Sequence, residues 1–431
     1  EALAMAYSTN PSLLSRQSQL KAADETVSQA MSNWRPNVTL SGDIEREYTH
    51  LNTRTANRDQ IRTPRNGTLV VTQSLFRGFR TVHGLSQAEA NVQAQRATLL
   101  GFEQSILLQA ATAYMAVVRD EAVLKLNTNN EQVLRRQLEA TQDRFRVGEI
   151  TRTDVSQAEA RMSGATADRI QSEGSLKISR ATYLNVVGQL PGQLKSPQSL
   201  EGLPKTLKEA KEIAYNNHPD ILSAQFSARS ARESVKLKRG ELYPTLNLVG
   251  TVKRDWESST NDSQQTTGEV RLDLTVPIYQ KGTVFSGLRE AKVNVGRSRL
   301  DLEDARRSVS EKVSSTWESL TTAAARIKSF KAQIKAAEIA LEGVQREASV
   351  GSRTVLDVLD AEQELLDAKV SLVRVQRDEV VASFELKEAT GQLTAKNLSL
   401  PVDLFDPAKY YNAIRSKFVG SDLPNGQSAK K

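Results

Sequence analysis

The chain has 431 residues, of which 25% are charged, 39% hydrophobic and only 5% aromatic, with a formal net charge of +7. That lean, charge-rich mix favours long helices over a thick globular interior, and the lack of cysteine excludes disulfides, thiol catalysis and zinc–thiolate sites within these residues, with no lipidated N-terminal Cys expected. No run approaches the roughly 18 apolar residues of a transmembrane helix, but a membrane β-barrel has a much weaker signal and stays open.

The basic balance is spread thinly, with Lys and Arg interspersed among Asp and Glu. There is no Lys/Arg block and no aromatic stacking cluster, so nucleic acid is not an expected partner. Residue 1 opens directly on a helical pattern, so any signal peptide is expected to have been removed or never present.

Taken in order, residues 1–9 predict a short helix ended by Asn10-Pro11, where Asn caps and Pro fits the first position of the next helix. That second helix reaches about Asn33. An aromatic–proline corner, Trp34-Arg35-Pro36, then switches the pattern to alternation: Val38, Leu40, Ile44 and Tyr48 against Thr39, Ser41, Asp43, Glu45 and Glu47. A polar loop follows at 49–66, then a less regular return strand from Thr68 to Phe76. From Arg80 to Arg146 the chain reads as unbroken helix, about 100 Å at 1.5 Å per residue. Val147-Gly148 ends it with a left-handed C-cap, and a return helix runs over 153–187.

Everything then recurs. Pro219 starts a helix, and Leu242-Tyr243-Pro244 makes the corner. Leu246, Leu248, Val252 and Trp256 alternate with Asn247, Thr251, Lys253 and Asp255, a loop covers 257–267, and Val270, Leu272, Leu274, Val276 and Ile278 mark the return strand. A second rod spans Thr283 to Ser349 and ends at Val350-Gly351, with a return helix at 356–390. Gly148 aligns with Gly351 (351 − 148 = 203), and the same register pairs Asp154 with Asp357, Tyr114 with Trp317, and Gly188-Gln189-Leu190 with Gly391-Gln392-Leu393. A repeat this long is domain-sized rather than a solenoid unit.

Each strand has one apolar and one polar face and is long enough to cross a bilayer obliquely. A lone four-stranded sheet leaves two open edges, which a membrane forbids, so closure needs two or more protomers. Trp34, Tyr243, Phe76, Phe79 and Tyr279 gather near the strand–helix corners, either as an interfacial aromatic belt or as ordinary junction packing. His50, His83 and His218 match no metal or catalytic spacing; no enzymatic activity and no cofactor are expected.

The duplicated helix–strand–strand–long helix–return helix unit, the Asn-Pro and His-Pro helix starts, the corners and the motif VGSRTVLDVLDAEQEL together resemble the TolC family of outer-membrane channel proteins, over essentially the whole chain. The resemblance implies an internally duplicated α+β membrane protein. Its long antiparallel helices would form an α-helical barrel, and four strands per protomer of a homotrimer would build a shared twelve-stranded β-barrel. Residues 37–76 and 245–279 would supply the strands, with extracellular loops 49–66 and 257–267. Residues 11–35, 80–187, 219–243 and 283–390 would form the periplasmic tunnel. Residues 1–10, 191–218 and 394–431 would be equatorial or connector segments, the last ending in a disordered tail.

The implied function is an exit channel in the outer membrane of a Gram-negative bacterium, contacting outer-membrane lipid. It would serve a tripartite efflux pump or a type I secretion system. An inner-membrane transporter would deliver drugs, toxic small molecules or secreted proteins through a periplasmic adaptor. The alternative is a soluble periplasmic coiled-coil scaffold, which predicts helical periodicity where residues 245–279 alternate.

The same resemblance implies site residues. Asp357 and Asp360 would form a pore gate, three copies giving six carboxylates where cations could block; two Asp near a helix start also suit the helix dipole. Arg353 would tether the tip to Asp154, with Thr153 beside it. Val147, Gly148, Val350 and Gly351 would be adaptor docking points, besides serving as C-caps. Ala348 stands where the family has a Tyr in this lock, and Gln376, flanked by Arg374 and Arg377, where it has a further Arg. Asp360 matches Gln157 in the first copy, so the gate is expected in the second.

Overall fold

The computed structural model describes residues 1–424 other than 196, 198, 201 and 261. The segment expected to be a disordered tail lies, from residue 425 on, outside the described residues. The first copy contains α1 (Ala2–Thr9), α2 (Pro11–Ser32), β1 (Asn37–Ile44), β2 (Glu47–Thr53), β3 (Ala56–Arg62), β4 (Arg65–Arg77), α3 (Arg80–Arg146) and α4 (Arg152–Val187). The second contains α5 (Leu207–Asn217), α6 (Pro219–Arg239), β5 (Thr245–Trp256), β6 (Gln264–Thr275), α7 (Thr283–Ser349) and α8 (Val355–Ala389), and α9 (Pro407–Arg415) follows. Both rods are 67 residues long, and their first and last residues are related by the repeat register. The expected cap also forms: Asn10 Oδ1 accepts the Ser12 and Leu13 N–H groups at 3.0 and 3.3 Å. At the second start His218 Nδ1 accepts from Asp220 N–H at 3.2 Å.

Three boundaries differ from the sequence reading. Most of 49–66 is a β-hairpin rather than loop, with Tyr48 paired to Ile61 and His50 to Asp59. Strand β6 stops at Thr275, leaving Val276 and Ile278 unpaired, but it begins within the expected loop at Gln264. The C-terminal connector segment carries α9.

The chain divides into two compact units. One comprises residues 1–18, 97–222 and 304–405. In it α3 is buried along two neighbouring stripes. Leu107, Ala111 and Met115 meet Val380, Val381 and Phe384 of α8 together with Tyr7 and Leu13. Ile106, Ala110, Ala113 and Val117 meet Leu176, Tyr183 and Val187 of α4. Small residues at three- and four-residue spacing give narrow, closely packed seams.

The other unit comprises residues 19–96 and 223–303 and the described residues from 406 on. Its four-stranded antiparallel sheet has the order β1-β4-β5-β6. Leu40 pairs with Leu69, Leu69 with Val252, and Leu248 with Leu272, all on one face. Ser41, Thr68 and Lys253 line up on the other, as do Asn247 and Asp273. The apolar face is bare: Leu40 and Val270 are each 78% exposed. Strands β1 and β6 each have one unpaired edge within the chain. At the corner, Phe76, Phe79 and Tyr243 stack edge to face, with centroids 5.2 and 6.5 Å apart. Helix α9 packs Tyr411 on Val27, Ala88 and Val92.

Candidate functional site: the tips of the two helical hairpins

Each rod ends in the same turn. Gly148 and Gly351 have φ of +85° and +80°, a left-handed region open to Gly at little cost. Beyond them, Glu149 N–H donates to Arg144 O at 3.0 Å and Ser352 N–H to Glu347 O at 2.9 Å. These long-range carbonyl contacts close the helix end as a Schellman-type cap. Thr151 and Thr354 then open α4 and α8 with complete capping boxes.

The capping boxes determine where two predicted site residues sit. Asp357 Oδ2 accepts the Thr354 N–H at 2.9 Å and the Thr354 hydroxyl at 2.8 Å. Asp154 Oδ2 receives the same pair from Thr151 at 2.9 and 2.8 Å. Those donated bonds, the backbone one first, hold both carboxyls below the usual Asp range. Arg353 donates its Nε to Glu347 Oε2 at 2.9 Å, within its own tip. Glu347 raises the Arg353 guanidinium further, chiefly through that bond. Arg353 and Asp154 are therefore each engaged inside separate hairpins, and the pair is not joined by a hydrogen bond among the described residues. Thr153 lies exposed in the first turn of α4. Val147 and Val350 are 72% and 79% exposed, and a Cβ built on Gly148 or Gly351 would meet nothing within 4 Å.

Asp360 does not share Asp357's surroundings. Its carboxylate pairs with the Arg161 guanidinium of α4, joining the two hairpins. Beside that pair, Val355 and Leu359 of α8 are buried against Leu134 of α3 and Ala165 of α4. Sequence reading missed Arg161; the usable signal was that its repeat counterpart is Glu364, so the two positions differ in charge. Farther from the tip, Arg119, Asp120, Asn127, Asp168, Asp367 and Arg374 line a polar cavity of about 510 Å³ between α3, α4 and α8. Arg377, next to the position expected to hold a further lock residue, pairs with Asp378 at 3.1 Å. No group of three or more metal-ligating side chains occurs among the described residues.

No helix among the described residues is long and apolar enough to cross a membrane. The bare apolar sheet face, its two unpaired edges and the duplicated hairpins define a channel-type chain that contributes strands to a barrel larger than itself. The chain belongs to the outer membrane efflux protein family, whose model matches residues 2–189 and 212–392. It is 35% identical to the outer membrane efflux protein BepC of Brucella suis, over 99% of this chain and 92% of that protein. It is 28% identical to the outer membrane protein TolC of Escherichia coli, over 90% of this chain and 81% of that protein. Among solved structures, the outer membrane protein VceC of Vibrio cholerae superposes with a TM-score of 0.80 at 20% identity, covering 90% of this chain and 95% of that one. The protein is accordingly an outer-membrane efflux channel protein of a Gram-negative bacterium, with a large periplasmic helical part.

Proposed function

We propose that three copies of the chain close one twelve-stranded barrel in the outer membrane and continue it as a helical tunnel, forming the exit duct for an inner-membrane transporter. The observation that carries this reading is the sheet of β1, β4, β5 and β6, apolar and uncovered on one face and unpaired at both edges. In hydrocarbon, unpaired backbone costs several kcal/mol per group, so the edges must be closed by other copies. A periplasmic adaptor would dock on the exposed Val147-Gly148 and Val350-Gly351 tips, whose open space suits close approach of another backbone. Asp357 and Asp360 would form the gate. Arg353 would leave Glu347 to reach Asp154 or Thr153 when the entrance is tightly shut. The 35% identity to an efflux protein supports small toxic molecules as cargo, with secreted proteins the broader possibility.

Reconstitution tests this. Purified protein should extract only with detergent, migrate as a trimer and form discrete conductances in planar bilayers. A monomer soluble without detergent would support the coiled-coil scaffold instead and sink the channel reading.

A further inference from the structure

The sheet register shows where the apolar face stops. Leu40, Leu69 and Val252 share one rung of it. The next rung, away from the helices, is Gly42, Gly67, Arg254 and Thr266, and the one after it holds Arg65 and Trp256. Residues two apart on a strand share a face, so Arg254 and Trp256 stand on the same side of the sheet as Val252. The Arg254 guanidinium lies over the Trp256 ring, 5.2 Å from its centroid. A Cβ built on Gly67 would lie 4.0 Å from Trp256 Cζ3, so the ring leans toward a glycine floor. Charges on the opposite face are paired: Lys253 with Asp255 at 2.8 Å and Arg271 with Asp273 at 3.0 Å. On the apolar side Arg65 pairs with Glu257 at 3.1 Å. Arg254 is exposed and has no ion pair among the described residues.

The height of this arginine matters. Leu246, paired with Leu274, lies near the helix end of the same face. The eight steps from Leu246 to Arg254 span about 26 Å of strand at about 3.3 Å each, or about 20 Å along the membrane normal at a tilt of about 40°. The apolar band of an outer-membrane barrel is about 25 Å tall, so Arg254 falls at its outer rim. The first copy carries the same pair in sequence: the offset that relates Pro36 to Pro244 (244 − 36 = 208) sets Arg46 on Arg254 and Tyr48 on Trp256.

We infer that Arg254, oriented by Trp256 beside the Gly42–Gly67 floor, binds a phosphate of an outer-leaflet lipid whose acyl chains lie along the apolar rungs next to it. This rests on the channel reading and adds to it the class of lipid and the residue that holds it. A guanidinium fork matches phosphate oxygens with two parallel N–H bonds. Stacking on the indole fixes the plane of the fork and leaves its N–H edge free. An aromatic ring with one apolar and one wet side suits the same boundary.

The test adds three probes to the detergent-solubilised trimer, a diphosphorylated glycolipid, the same lipid without phosphates, and inorganic phosphate, and measures binding by native mass spectrometry. The unmodified trimer should bind the phosphorylated lipid about tenfold or more tighter than the dephosphorylated one. Arg254→Gln should abolish that preference, and Trp256→Leu and Arg254→Lys should reduce it about threefold or more, because each loses the stacked fork. Arg271→Gln, on the opposite face, should keep it within about twofold. Conductance of Arg254→Gln within twofold of the unmodified channel shows that it assembles; if it does not assemble, Trp256→Leu and Arg254→Lys decide. Equal affinity for the two lipids, equal affinity of the Arg254 variants and the unmodified trimer, an equal loss in Arg271→Gln, or inorganic phosphate binding as tightly as the lipid would each overturn the inference. Failure of the unmodified protein to form a trimer would instead overturn the channel reading.

Discussion

Val270 lies at the middle of β6, 78% exposed in the single chain, opposite Gly250 on β5. Its neighbour in the register, Thr251, faces the other way, opposite Glu269. If the apolar face were a water-exposed surface, Val270→Arg would shift stability by no more than about 0.5 kcal/mol. If that face meets lipid, an Arg near the bilayer midplane costs about 2–4 kcal/mol, roughly 30- to 800-fold in the folding equilibrium at tenfold per 1.4 kcal/mol. Thr251→Arg, on the polar face and beside Glu269, should cost less than about 1 kcal/mol in either case. The assay is reversible urea unfolding in lipid vesicles, followed by tryptophan fluorescence and protease protection. Equal midpoints for Val270→Arg and Thr251→Arg would refute the assignment of the apolar face to lipid.

Other consequences are equally direct. Gly391 has φ +74°, and an added Cβ would lie 2.6 Å from Asn217 O and 2.9 Å from His218 Cα, whereas its counterpart Gly188, at φ +87°, would meet only the Thr9 hydroxyl at 3.2 Å. Gly188→Ala should therefore cost about 1–2 kcal/mol for the left-handed backbone alone, and Gly391→Ala a further 1–3, roughly, for overpacking; calorimetric melting of both variants checks the order. Asp24 is 1% exposed, and burial raises its pKa to about 6, against the attraction of Arg96. The native state thus binds its proton more tightly than the unfolded chain does. Its contribution to stability should rise as pH falls from 7 through 6 towards about 4; melting curves of wild type should show this gain and Asp24→Asn should lack it. At the proposed gate, Asp360→Ala should weaken block of conductance by multivalent cations more than Asp360→Ala with Arg161→Ala does, because the single change leaves the Arg161 charge without its carboxylate. Identical block in the two variants would remove Arg161 from the gate's electrostatics.

Much of the fold was legible because local and long-range signals agreed. Proline-free stretches set the rods, and both run between the residues the periodicity predicted, Arg80–Arg146 and Thr283–Ser349. The return helices, expected from 153 and 356, start at Arg152 and Val355, where Thr151 and Thr354 stand three residues before Asp154 and Asp357, a spacing at which hydroxyl and carboxylate can each satisfy the other's N–H. Strand alternation gave the two faces of the sheet. The hairpin β2–β3 was invisible because its pairing buries no apolar face: Thr49 meets Gln60, His50 meets Asp59 and Asn52 meets Asn57, so no hydrophobic alternation betrays it. Helix α9 had a readable start, Asp406 before Pro407, with Asp406 Oδ1 accepting the Ala408 N–H at 2.8 Å. Its place in the fold depends on Tyr411 reaching α2 and α3 and on Tyr410 bonding Glu25 at 2.8 Å, contacts between residues far apart in the chain that no local pattern carries. The same holds for Arg161 and Asp360, whose meeting depends on how two hairpins pack.

That each repeat unit adds two strands, an even number, has a consequence for closing the barrel. Strand β1 is antiparallel to β4, β4 to β5, and β5 to β6, so β1 and β6 run in opposite directions. Placing β6 of one copy beside β1 of the next then continues the antiparallel alternation, and the ring closes with no parallel step for any whole number of copies. A chain contributing an odd number of strands would force a parallel pair at every junction or break the ring. The hairpin β2–β3 obeys the same logic by staying out. It forms its own two-stranded sheet between β1 and β4 in the chain, so it adds nothing to the count and leaves β1 free to pair with β4. Its root is nevertheless fixed beside the sheet, through Arg62 Nη1 donating to Ser258 O at 2.7 Å and Thr63 N–H donating to Glu257 Oε2 at 3.2 Å, both in the turn after β5. The strand number per chain is thus even because the two copies supply two strands each, and the extra strands of the first copy stay outside the barrel.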